Sequence, residues 1–116
     1  MARGFRMGGA RGSAILPDFS SNGLTPQGST IVSGGYRLNG NLCEIDIVFK
    51  TTATISQNNG IIIGFPAPKD VSAGTFFGES MANCQMYRGV NQTGIFSKAS
   101  IASNTTIHFV ISYAWR

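Results

Sequence analysis

The stretch from Tyr36 to Lys69 constrains this chain more than any other. It opens on Tyr36-Arg37-Leu38-Asn39-Gly40-Asn41, a turn signal, and continues from Leu42 to Ile55 with Cys43, Ile45, Ile47 and Phe49 at every second position. Glu44, Asp46 and Lys50 fall on the other parity. Successive side chains on a strand point to opposite faces, so this spacing predicts a strand with one buried and one wet face. Gln57-Asn58-Asn59-Gly60 follows as a hairpin-type connection, with Asn59-Gly60 suited to the positive φ of a tight turn. Ile61 to Phe65 is then apolar without alternation, as in a strand covered on both sides, and Pro66 and Pro68 stop it because each lacks a ladder N–H.

The rest of the chain extends this pattern. Thr30-Ile31-Val32-Ser33 reads as a strand, with Gly34-Gly35 marking a bulge or turn after it. Further strands are expected at 75–78, 83–89, 94–102 and 105–115, joined by Gly, Asn and Ser clusters such as Asn91-Gln92-Thr93-Gly94 and Ser103-Asn104. No segment carries a period of 3.6. Short strands with turns this often indicate a sandwich or barrel. The expected architecture is all-β, an antiparallel jelly-roll-like sandwich over residues 29–116, preceded by an extended arm and connector over residues 1–28 with at most one short strand.

The charges divide the chain the same way. The net charge is +4, yet Arg3, Arg6 and Arg11 lie in the first twelve residues with no acid among them. The six remaining basic groups nearly balance five acids, so the body is close to neutral and a nucleic-acid face on it is not expected. The Gly8-Gly9-Ala10-Arg11-Gly12 segment has the composition of an arginine-glycine RNA binder, but in one short copy. Residues 1–12 cannot bury enough apolar surface to order themselves. They read as a docking arm, with Arg3, Arg6 and Arg11 as its charges and Phe5 and Met7 as its apolar handles. The arm lacks the apolar run of a signal peptide, and no stretch reaches the length of a membrane helix.

Charged residues make up only 12% of the chain and hydrophobic ones 42%. A free monomer commonly carries about twice that charged fraction. The segment Thr105 to Trp115 sharpens the point, because Ile107, Phe109, Ile111, Tyr113 and Trp115 share one large apolar face. Its other face, with His108, Val110, Ser112 and Ala114, is small and barely polar. With Arg116 following directly, this strand is expected at the heart of the body, and Phe109, Ile111, Tyr113 and Trp115 are the expected oligomer interface.

A search for chemistry returns little. The lone His108 reads as a structural strand residue, and no Cys or His lies at zinc-ligand spacing from it. Glu44 and Asp46 superficially resemble a carboxylate pair for glycoside hydrolysis, but with Lys50 beside them they read as a solvated face. No nucleophile elbow, phosphate loop or dinucleotide fingerprint is present. Cys43 and Cys84 are expected as buried or partly buried free thiols; a disulfide would need their strands to stack. Asn91-Gln92-Thr93 and Asn104-Thr105-Thr106 read as turns. The expectation is a non-enzymatic protein without metal or cofactor.

Tyr36, Arg37, Gly40 and Asn41, the strand from Ile45 to Ile55, and the Ile61–Pro68 stop resemble the C-terminal domains of bacteriophage tail-fibre, baseplate and related virion proteins. Gly94-Ile95-Phe96-Ser97 and the final Thr106–Tyr113 strand fit the same scheme. The resemblance implies a virion structural protein, made in the bacterial cytoplasm, whose sandwich is a homotrimeric head held on the tail or baseplate by its arm. It further implies contact with a host surface glycan, for which Tyr36, Tyr87, Arg88 and Asn91, expected on loops, are the candidates. A capsid decoration or cement protein, with the arm lying on the capsid lattice, is the alternative.

Overall fold

The computed structural model describes residues 18–70, 76–79, 83–89 and 91–116. Among these residues eight strands run in chain order: β1 (Thr25–Pro26), β2 (Ser29–Asn39), β3 (Leu42–Thr51), β4 (Gly60–Ile63), β5 (Phe76–Glu79), β6 (Cys84–Gly89), β7 (Gln92–Ser97) and β8 (Thr106–Ala114). They form two antiparallel sheets, β2-β3-β8 and β1-β4-β7-β6-β5. The β-sandwich expected from the alternation is the observed fold. Within the larger sheet, β5, β6 and β7 follow one another as neighbours while β4 lies against β7, a Greek-key order and the element shared with jelly rolls.

The core lies between the sheets. Cys43, Ile45, Ile47 and Phe49 of β3 and Ile107, Phe109 and Tyr113 of β8 meet Ile61, Ile62, Cys84, Met86 and Ile95 from the opposite sheet. The alternation in β3 therefore marks its inner face, and each large side chain withdrawn from water there stabilises the fold by about 1.5–3 kcal/mol. The apolar face of β8 is turned inward as well. Phe109 is fully buried and Tyr113 nearly so, while Ile111 and Trp115 pack half-buried against the core. This corrects the expectation of an oligomer interface at Phe109, Ile111, Tyr113 and Trp115, because the chain's own second sheet covers that face. The face of β8 that meets solvent is the small one.

Several local expectations shift. Gly34-Gly35 does not end a strand; β2 runs through both to Asn39, and its bulge falls earlier, at Val32. The two glycines are needed for close backbone approach. A Cβ on Gly34 would stand 2.1 Å from the Asp46 carbonyl oxygen, and one on Gly35 2.0 Å from that of Ser20. The β2–β3 turn does fall at Gly40-Asn41, as the turn signal indicates. Strand β3 ends at Thr51, four residues short of Ile55, which instead bridges Ile101.

The connection from β3 to β4 is not a hairpin. It carries the chain from one sheet to the other, and the positive φ falls on Asn58 and not on Asn59-Gly60. In β4 the two adjacent isoleucines, Ile61 and Ile62, are both fully buried. The register slips between Gly60 and Ile62 against β7, so a bulge breaks the alternation there. Strand β7 ends at Ser97; Ile101 beyond it bridges Ile55 and packs into the core. Both cysteines are buried and outside any disulfide, one in each sheet.

Candidate functional site

The outer face of the five-stranded sheet carries a groove of about 390 Å³ lined by Asn58, Gln85, Tyr87 and Phe96. Gln85 and Tyr87 alternate with the buried Cys84 and Met86 on β6, and Phe96 lies between the buried Ile95 and Ser97 on β7. All three side chains therefore rise from the outside of the sheet. Gln85 stands directly across from Phe96, which on its other side faces Gly60. A Cβ on Gly60 would approach the Phe96 ring to 3.4 Å, so glycine there leaves the ring room to lie over the strand. Tyr87 faces Gly94 in the same way and meets Phe96 edge-on, with centroids 5.3 Å apart and planes at 62°. Such edge-to-face pairs add about 0.5–1.5 kcal/mol beyond burial and hold both rings in place.

Asn58 is placed by a different device. Its backbone adopts a φ of 66°, and its N–H donates to the Ser97 carbonyl at 3.0 Å. Ser97 is buried, and its hydroxyl donates to the Ser56 carbonyl at 2.6 Å while accepting the Asn59 N–H at 3.2 Å. The end of β7 thus ties down the loop that brings Asn58 to the rings. The result is two rings flanked by two amides, a surface that offers apolar faces beside both donors and acceptors.

A second, wider groove of about 700 Å³ lies along the start of the described chain and β2, lined by Asp18, Ser20, Asn22, Tyr36, Arg37, Leu38 and Asn39. Several of its polar groups are already engaged. The Arg37 Nε donates to the Glu44 carboxylate at 2.6 Å, its other end lies 3.5 Å from Asp18, and its guanidinium stacks 4.6 Å from the Phe19 ring centroid. The bond from Arg37 holds the Glu44 carboxyl below its ordinary pKa. Tyr36 packs edge-on against Phe65 and donates its hydroxyl to the Asn22 carbonyl at 3.3 Å.

The four residues expected to touch a glycan are therefore not gathered in one place. Tyr36 lies in mid-strand on β2 in the wider groove, Tyr87 in the aromatic one. Arg88 follows Tyr87 on β6 and by alternation points to the other face. Only Asn91 belongs to a turn, between β6 and β7, where its N–H donates to the Gly89 carbonyl at 3.2 Å. Gln85, Phe96 and Asn58 escaped the sequence reading. The outward parity of Gln85 and Phe96 was available in the strands; their juxtaposition needed the β6–β7 register. The arm residues Arg3, Phe5, Arg6, Met7 and Arg11 lie outside the described residues.

The acids on β3 are not a plain solvated face. Glu44 pairs with Arg37, and Asp46 lies 2.7 Å from the His108 Nε2 on the neighbouring β8. Among the described residues no group of three or more His, Cys, Asp or Glu side chains is placed to hold a metal ion, and no helix is long and apolar enough to cross a membrane. Compared with known proteins, the chain matches no family model, no curated protein and no solved structure.

Proposed function

We propose that this chain is a non-enzymatic structural protein of a bacteriophage particle, carried on it by residues 1–28, and that its sandwich is a head which binds a host surface glycan in the aromatic groove. The observation that supports the binding role is the pairing of Tyr87 with Phe96 on the outer face of β6 and β7, framed by the amides of Gln85 and Asn58. A pyranose ring has apolar C–H faces and a rim of hydroxyls. Fixed aromatic rings suit the former, and amides, which donate and accept, suit the latter. Because the rings stand on paired strands, little ordering is needed on binding. The trimer implied by the resemblance to phage fibre heads is not part of this reading, since the face that argued for it is the core.

Glycan arrays probed with the whole protein test the binding role. A saccharide ligand is expected, with affinity lowered about tenfold by Tyr87→Ala or Phe96→Ala at equal folded fraction. Arrays without a ligand, together with infection that survives removal of the sandwich, would reject it. Immuno-electron microscopy addresses the placement: label on tails or baseplates supports this reading, and label over the capsid supports the decoration alternative.

A further inference from the structure

Two open sheets present four edges, and three of them are blunted. Strand β1 is two residues long and includes Pro26, which has no N–H to offer. Strand β5 spans four residues and slips register between Phe76 and Gly78. Strand β2 is bulged at Val32, and the outward N–H and C=O of Tyr36 are both taken by Ser20 at 2.9 Å. Short strands, prolines, bulges and covering segments are the usual devices that keep an edge from pairing with another chain.

Among the described residues, strand β8 has none of these before its last residue. It is nine residues long and keeps unbroken register with β3 from Thr106 to Ala114. It contains no proline, lysine, arginine or carboxylate. The flanking bonds fix which of its backbone groups face outward. Thr105 accepts from the Thr51 N–H at 2.9 Å, and Trp115 donates to the Asn41 carbonyl at 3.0 Å. In an antiparallel ladder this parity alternates, so residues 107, 109, 111 and 113 bond to β3. Thr106, His108, Val110 and Ser112 turn their N–H and C=O groups to the open edge. Only at the end of the strand is an outward group engaged among the described residues, where the Ala114 carbonyl accepts the Lys69 N–H at 2.9 Å.

We propose that this edge pairs antiparallel with the same edge of a second copy, about a twofold axis through Val110. A second copy is the occupant because the edge is complementary to itself. With Val110 opposite Val110, His108 falls opposite Ser112, so no like charges meet and every outward group from His108 to Ser112 finds a partner, while beyond Ser112 the second strand turns away from Ala114, whose outward side Lys69 holds. Val110, 49% exposed, gives the pairing an apolar centre. The pairing adds about six backbone hydrogen bonds without disturbing the Lys69 contact and turns a three-stranded sheet into a continuous six-stranded one. A strand edge about 30 Å long buries less than a standard interface, so the dimer is expected to be concentration-dependent. It also answers a body with so few charges.

Sedimentation equilibrium of the whole chain, from low to high micromolar concentration, tests the pairing. A monomer–dimer equilibrium is expected. Val110→Lys sets two ammonium groups face to face across the axis and should weaken the dimer about tenfold or more. Val110→Pro removes an outward N–H that β3 does not use, and should weaken it similarly. Thermal melts establish that each variant is folded. In the wild type, the amides of His108, Val110 and Ser112 should exchange with solvent more slowly as concentration rises, a readout that needs no variant. A chain that stays monomeric throughout overturns the proposal. So does a trimer, or a dimer indifferent to both substitutions and to amide exchange on β8.

Discussion

Single residues here are decided by what lies within a few ångströms of them. Cys84 shows this best. It packs into the core of the larger sheet with no exposed surface, and burial raises its thiol pKa from 9.0 to about 11, an effect that the nearby Lys98 charge only partly offsets. Cys43 and Tyr113 are raised too, chiefly by the same desolvation. The folded state therefore holds protons that the unfolded chain releases. Stability should be complete below pH about 9 and should fall as pH rises toward about 11. Urea midpoints measured across that window should decline steadily, and Cys84→Ala should flatten part of the slope. A thiol reagent should find neither cysteine in the native protein and both after unfolding, since the thiolate is the reactive form.

At the level of elements, the corners between sheets matter as much as the strands. Thr51 ends β3 fully buried. Its hydroxyl donates to the Ala102 carbonyl at 2.8 Å and accepts the Thr105 N–H at 2.9 Å, joining the end of β3 to the loop that leads into β8. Thr51→Val keeps the shape but leaves that N–H and that carbonyl without the hydroxyl, so chemical denaturation should show a loss of about 1–3 kcal/mol. Ser97 plays the matching part at the end of β7, where it holds the Asn58 loop. Neither role was legible in the sequence, which shows only a polar residue at a strand end. The strands themselves were legible where alternation is strict. They were misread where bulges intervene, at Val32 and Ile61, because an extra residue reverses the facing of everything beyond it.

For the whole molecule, the decisive fact is which apolar surface covers which. Taken alone, the strand from Thr106 to Ala114 has a face too apolar to leave in water, and a partner chain is one way to cover it. The second sheet of the same chain is the other, and the fold adopts that one. Phe109→Ala should consequently lower the unfolding free energy by about 3–5 kcal/mol, as core truncations of phenylalanine do. The loss should be independent of protein concentration in urea titrations; an interface residue would give a loss that varies with it. What the described residues leave exposed is the aromatic groove on the outer face of one sheet and most of the β8 edge of the other. Of the groove, the sequence reading included Tyr87 alone, because Phe96, Gln85 and Asn58 join it across strand pairs and a loop.

The fold class, the parity of β3 and β8 and the turn at Gly40-Asn41 were legible in the residues alone, since each follows from local periodicity and backbone freedom. So was the placing of most of the positive excess in the first twelve residues. That β3 and β4 lie in different sheets, that the large face of β8 is core, and that no described segment pairs with the β8 edge before Ala114 was settled by packing. Those outcomes depend on pairings between residues far apart in the chain. Local spacing says which side of a strand avoids water, and the packed sheets decide what covers it.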